Sequence, residues 1–227
     1  MVDKIIEKTH WDDIIESLEK WREELQSYTE PSVTTIAEGY KQDPWAVLAS
    51  TILSLRTKDE VTLVSSRALL GKAPTPEALV KLSEKEIEKL IYPAGFYRTK
   101  ASNLKKTASL IIEKHNGQVP NNMEDLLALP GVGRKTANLV LTEAFDLYGI
   151  CVDTHVHKIS NRTGWVSTST PDQTEQILRE VLPQKYWKRI NALLVVYGQQ
   201  ICRPVSPFCS KCVIEKHCKR KNVEKSR

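Results

Sequence analysis

Six side chains in this sequence have the types and spacing for chemistry: Lys135, Asp153, and the cysteines Cys202, Cys209, Cys212 and Cys218. The cysteines form a C-x6-C-x2-C-x5-C segment that also contains Pro204 and Pro207. Four thiolates so spaced can surround one zinc ion or a cubane iron–sulfur cluster. Structural zinc sites more often use two C-x2-C pairs, and one such pair stands here. Bunched cysteines fit metal ligation in a reducing compartment better than a disulfide framework. Cys151 lies apart and reads as a small buried residue. Lys135 follows Leu129-Pro130-Gly131-Val132-Gly133-Arg134. It falls in the first turn of a helix with Arg134 beside it. A cation is disfavoured there, and a lysine amine is a usable nucleophile. Asp153 stands a helix and a turn further on, so one hairpin can bring the two face to face. A plainer role for Asp153 is the N-cap of a helix beginning at Thr154.

The elements around Lys135 must therefore be a hairpin. Asn121 to Ala128 reads as a short helix with an Asn cap and acidic residues in its first turn. Pro130 stops it, and Gly131 and Gly133 allow backbone angles that a side chain would block. Ala137, Val140, Leu141, Ala144 and Phe145 then recur at helical spacing. Such a hairpin presents the backbone N–H groups of Gly131, Val132, Gly133 and Arg134 where the helix dipole favours an anion. A polymer phosphate held there is gripped without a base contact. An ordinary helix–helix corner is the competing reading, and Lys135 argues against it.

The rest of the chain also reads as helix. Thr9 is placed to cap a first helix with Trp11, Ile14, Ile15, Leu18 and Trp21 on its apolar face. A break follows over Ser27 to Pro31, with Ser32 as the cap of a short helix to Tyr40. Asp43-Pro44 opens the next, and Asp59 to Leu70 forms another before a break at Gly71 to Pro74. Thr75-Pro76-Glu77 and the Ser83 to Glu86 capping box are further starts. A helix over Thr99 to His115 stops at Asn116-Gly117. Thr170 to Gln173 is a second capping box, and Trp187, Ile190, Leu193, Leu194 and Tyr197 line a last long helix. No segment alternates as a strand would. The fold class is all-α.

The run L-P-G-V-G-R-K-T-A-N followed by V-D-T-H-V resembles the helix-hairpin-helix plus Gly-Pro-Asp signature of the endonuclease III family of DNA glycosylases. The resemblance extends from about Pro44 to Cys218. It implies a [4Fe–4S] cluster on Cys202, Cys209, Cys212 and Cys218. It implies a DNA glycosylase with AP lyase activity against oxidised pyrimidines such as thymine glycol. Lys135 would attack C1′ of an extruded nucleotide, and Asp153 would stabilise the charged sugar and help deprotonate the lysine. Relatives that only remove bases usually lack this lysine. By the same resemblance the turn Ser54 to Asp59 enters the space left by the nucleotide, with Arg56 where the family usually carries Gln. The loop Ala94 to Tyr97 wedges into the duplex with Phe96 where Leu is common, and His155 lies near the DNA. Phe96 in a core and Arg56 in a solvated turn are the plain alternatives. Lys211 and Lys219, in a basic cysteine loop, are candidate phosphate contacts.

The expected architecture is two helical lobes with a DNA-binding groove between them. One spans 43–147 and contains the hairpin; the other joins 1–42 to 148–227. Competing functions are a mismatch-directed glycosylase, a non-catalytic DNA-binding module, and an iron–sulfur electron carrier. At +5 the chain of 227 residues is mildly basic, compatible with a polyanionic partner without demanding one. No stretch has the apolar length of a membrane span, and Met1-Val2-Asp3-Lys4 lacks a signal-peptide layout. The expectation is a soluble intracellular monomer that works with the chromosome on damaged double-stranded DNA.

Overall fold

The computed structural model describes residues 10–25 and 31–227, and every regular element among them is a helix. Two compact units form: Pro31–Leu147, and Met1–Glu30 with Tyr148–Arg227. The chain opens on α1 (Trp11–Glu23), which buries Trp11, Ile14, Ile15 and Leu18. Thr9 and the expected break from Ser27 lie outside the described residues. His10 is the N-cap and makes no side-chain capping bond.

The unit Pro31–Leu147 begins with α2 (Ser32–Gly39), whose cap position is Pro31, so Ser32 is helical and caps nothing. Val33, Ile36 and Ala37 are buried in the same core as Trp45. The unit thus starts at Pro31 and not at Asp43. The apolar face of α2 needs cover, and α3 (Pro44–Ser54) supplies it. Asp43 caps α3 by accepting from the amide of Ala46 at 2.8 Å. Every residue from Trp45 to Leu53 is buried, as befits a helix packed on all sides. Around it lie α4 (Asp59–Lys72), which runs on through Gly71, α5 (Pro76–Val80) and α6 (Glu84–Ile91). Thr75 caps α5, and Ser83 with Glu86 forms the capping box of α6. The long α7 (Tyr97–His115) ends on Asn116 and Gly117, both left-handed, at φ 52° and 79°. Next come α8 (Met123–Leu127), capped by Asn122, and α9 (Arg134–Phe145), which packs on α3.

In the other unit α10 (Thr154–Thr163) and α1 pack on α12 (Trp187–Gln200), while α11 (Pro171–Val181) packs on α10. Thr170 and Gln173 form the capping box of α11. The core of this unit packs Trp11 at a tilt against Trp165 with centroids 5.0 Å apart and sets Trp21 edge-on to Tyr197 at 4.7 Å. Cys151 is buried. After α12 the chain makes two short 3₁₀ turns, Cys209–Lys211 and Glu215–His217, with Ile214 between them anchored in the core. Among the described residues no helix is long and apolar enough to cross a membrane.

Candidate active site

Lys135 is the second residue of α9 and is exposed. The hairpin that places it is pinned by Leu129 and Val132, both buried, and by the Thr107 hydroxyl, which donates to the Pro130 carbonyl at 3.0 Å. Because the Val132 side chain is in the core, only its backbone is available to a partner. Gly131 has φ +79°, the left-handed region that favours glycine, and a Cβ there would lie 2.9 Å from Asn103 Nδ2, which would have to shift. Gly133 differs. Its φ of −103° and ψ of 180° are extended backbone open to any residue, and a Cβ would meet nothing within 4 Å. The expectation that both glycines escape blocked angles thus holds for Gly131 alone. Gly133 instead leaves open space at the N-cap of α9, where no side-chain capping bond forms.

Asp153 is the N-cap of α10. Its Oδ1 accepts from the amides of His155 and Val156, both at 2.8 Å, which fixes the carboxylate while Oδ2 carries no capping bond. Two short amide bonds to one oxygen hold the carboxyl group in one orientation.

The four cysteines of the C-terminal loop are free thiols, each partly buried. Burial pushes the thiols of Cys202, Cys212 and Cys218 up, and the four sulfurs lie near enough to repel one another as thiolates. Arg162, itself buried, donates to Cys202 Sγ at 3.2 Å and to the carbonyls of Arg203 and Pro204 at 2.9 and 3.2 Å. The Tyr197 hydroxyl donates to Cys212 Sγ at 3.1 Å and accepts from the Val213 amide at 3.0 Å. The Arg220 amide lies 3.4 Å from Cys218 Sγ. Donors aimed at sulfur suit thiolates that carry charge. Among the described residues no three His, Cys, Asp or Glu side chains converge on a single ion.

The model of the HhH-GPD superfamily of base excision DNA repair proteins matches residues 49–184. Endonuclease III of Thermotoga maritima is 46% identical over 176 residues, which cover 78% of this chain and 83% of that one. This chain belongs to the endonuclease III family. It spans 48% of the length of two chloroplastic endonuclease III homologues of Arabidopsis thaliana. Among solved structures, a trapped endonuclease III–DNA covalent intermediate superposes with a TM-score of 0.76 at 28% identity, covering 91% of this chain and 93% of that one. A thermostable thymine-DNA glycosylase superposes with a TM-score of 0.79 at 25% identity, covering 92% and 93%.

The other residues singled out in this endonuclease III family chain have varied settings. Arg56 and Phe96 are exposed, both left-handed at φ 52° and 56°, with the guanidinium 5.6 Å from the ring centroid. Phe96 is 63% exposed, so it is no part of the core. The His155 ring packs on Gly198 of α12, where a Cβ would fall 2.2 Å from Nδ1. Lys211 reaches over the Phe208 ring, and Lys219 lays its stem on Gly164 while its amide bonds the Thr163 carbonyl at 3.0 Å. Sequence reasoning missed Arg162 and Tyr197 as partners of the cysteine loop, and Lys100, a buried lysine on α7. Their spacing gives no signal of these contacts, because each partner is remote along the chain.

Proposed function

We propose that this chain is a bifunctional DNA glycosylase/AP lyase of base excision repair that removes oxidised pyrimidines from duplex DNA. The observation that carries this reading is Lys135: exposed, on the first turn of α9, two residues past the open space at Gly133. A phosphate held at that helix end would keep the lysine beside the nucleotide, and a module built only for grip has no use for the amine. The Lys135 Nζ lone pair attacks C1′ of the extruded nucleotide; the N-glycosidic bond breaks and the base leaves with its electron pair, taking up a proton. The Asp153 carboxylate offsets the positive charge on the sugar and takes a proton from the attacking amine. Opening of the C1′–O4′ bond gives a Schiff base on Lys135. Loss of a C2′ proton then expels the 3′ phosphate by β-elimination, and hydrolysis of the imine frees the enzyme.

Gly131, Val132, Gly133 and Arg134 are read as the phosphate grip, Arg56 and Phe96 as the pair facing the opened duplex, and His155, Lys211 and Lys219 as lesser contacts. Cys202, Cys209, Cys212 and Cys218 would hold a [4Fe–4S] cluster. Its fit rests on four thiols close enough to interact, with Arg162 and Tyr197 donating to two of the sulfurs. When bound, the cluster would supply structural cross-linking of a basic loop and no step of the reaction. The protein would act as a monomer where chromosomal DNA is.

A second reading is a glycosylase narrowed to mismatches. Arg56, in the turn read as facing the orphaned base, favours it, as does the likeness to a thymine-DNA glycosylase. Single-turnover assays on end-labelled duplexes with thymine glycol or a G·T mismatch separate the two. Base release from thymine glycol together with a 3′ unsaturated aldehyde end is expected. Cleavage confined to the G·T duplex would replace this reading with the second, and base release with an intact strand would remove the lyase step.

A further inference from the structure

Lys100 is 5% exposed, lies in the first turn of α7, and is used by no step above. Its ammonium donates to the carbonyls of Leu53 and Leu55 at 2.7 and 2.6 Å and to the Thr57 hydroxyl at 2.7 Å. An ammonium has three donors, and all three are used. None of the acceptors is a carboxylate; all three are neutral oxygens. Desolvation draws its pKa down to about 8, which still leaves it protonated at neutral pH. The first turn of a helix is itself an unfavourable place for a cation. Two features offset this. Leu53 and Leu55 end α3, where carbonyls lack helical partners and the dipole is negative, so a cation there is favoured.

The Thr57 hydroxyl extends the tie. It accepts from the Gly95 amide at 3.0 Å as well as from Lys100. Gly95 in turn runs against the carbonyl of Arg56, and a Cβ would fall 2.3 Å from that oxygen. One buried amine therefore links the end of α3, the turn bearing Arg56 and the turn bearing Phe96. Arg56 and Phe96 both hold the left-handed backbone that side chains disfavour. Such geometry persists only where its surroundings over-determine it.

We infer that Lys100 is a positioning residue that fixes Arg56 and Phe96 as one preformed pair for the opened duplex. This rests on the reading of those two residues as DNA-facing. The pair would then meet the DNA without paying an ordering cost, since its backbone is set before binding. Lys100 touches no substrate; it acts through the two turns.

The test compares Lys100→Met with the natural chain in two measurements. Met keeps the length of the stem and removes the donors. First, hydrogen exchange on the free protein is followed over residues 53–57 and 94–97. Exchange there should quicken about tenfold or more while the rest of the Pro31–Leu147 unit is unchanged. Second, single-turnover excision should slow about 10- to 100-fold, as small misplacements do. The double variant Lys100→Met/Arg56→Ala should be no slower than the slower single variant, because the two act through one contact. Thr57→Val, which keeps the lysine, should quicken exchange at Gly95 and so covers failure of Lys100→Met to fold. Unchanged exchange, or losses that multiply in the double variant, would overturn the anchoring role. Excision undiminished in both Arg56→Ala and Phe96→Ala would overturn the DNA-facing end. A natural chain that excises nothing would instead sink the enzymatic reading, and duplex affinity would then replace the rate in the same comparison.

Discussion

The hairpin before α9 and the paired turns at 53–57 and 94–96 both expose groups read here as DNA contacts, yet they keep their shapes in different ways. The hairpin uses backbone. Gly131 supplies the left-handed turn, Pro130 stops α8, and two apolar side chains, Leu129 and Val132, pin it to the core. The paired turns use side chains. Left-handed Arg56 and Phe96 have no glycine to relieve them, and a buried ammonium with a threonine hydroxyl holds them in place. Backbone geometry is written in local residue types. A buried polar tie across more than forty residues of chain is not.

This contrast can be broken most forcefully at Gly95. In Gly95→Ala the new carbon meets the Arg56 carbonyl at 2.3 Å, and backbone, not a flexible side chain, must yield. The expected loss is about 1–3 kcal/mol in chemical denaturation, the usual cost of overpacking. Gly131→Ala should lose about 1–2 kcal/mol from its left-handed backbone and its contact with Asn103. Gly133→Ala sharpens the comparison, for nothing in the protein opposes it. Its stability should stay within about 0.5 kcal/mol of the natural chain or rise slightly, while duplex affinity falls about tenfold or more. Equal affinity would show that no phosphate approaches there. Last, Thr170→Ala removes the capping box of α11, remote in sequence from both regions. It should cost about 1 kcal/mol and leave excision unchanged.

Much of the fold is legible in the residues themselves. Asp43-Pro44, the Ser83 and Thr170 capping boxes and the Asn116-Gly117 stop mark helix ends where the structure has them. The hairpin is legible for the same reason, since proline and glycine constrain their own backbone. Gly133 is the instructive exception: its type suggests a strained angle, and the structure shows an ordinary one beneath open space. The start of the Pro31–Leu147 unit was not legible either. The apolar face of α2 shows that it packs, but not which core receives it. Phe96 illustrates the same gap, because an aromatic in a loop reads equally as core or as wedge until its exposure is known. Lys100 and Arg162 look like solvated charges on helical faces. Only their tertiary partners, backbone carbonyls and a cysteine sulfur, show otherwise.

The central claim is that Lys135 bonds covalently to the sugar, and borohydride trapping tests it most directly. Borohydride reduces a Schiff base to a stable amine, so the reaction of this chain with a thymine-glycol duplex should leave a protein–DNA adduct that survives denaturation. Lys135→Ala should leave none under the same conditions, with its melting transition intact. An adduct that persists in Lys135→Ala, or a natural chain that binds the duplex tightly and forms none, would contradict the lysine mechanism.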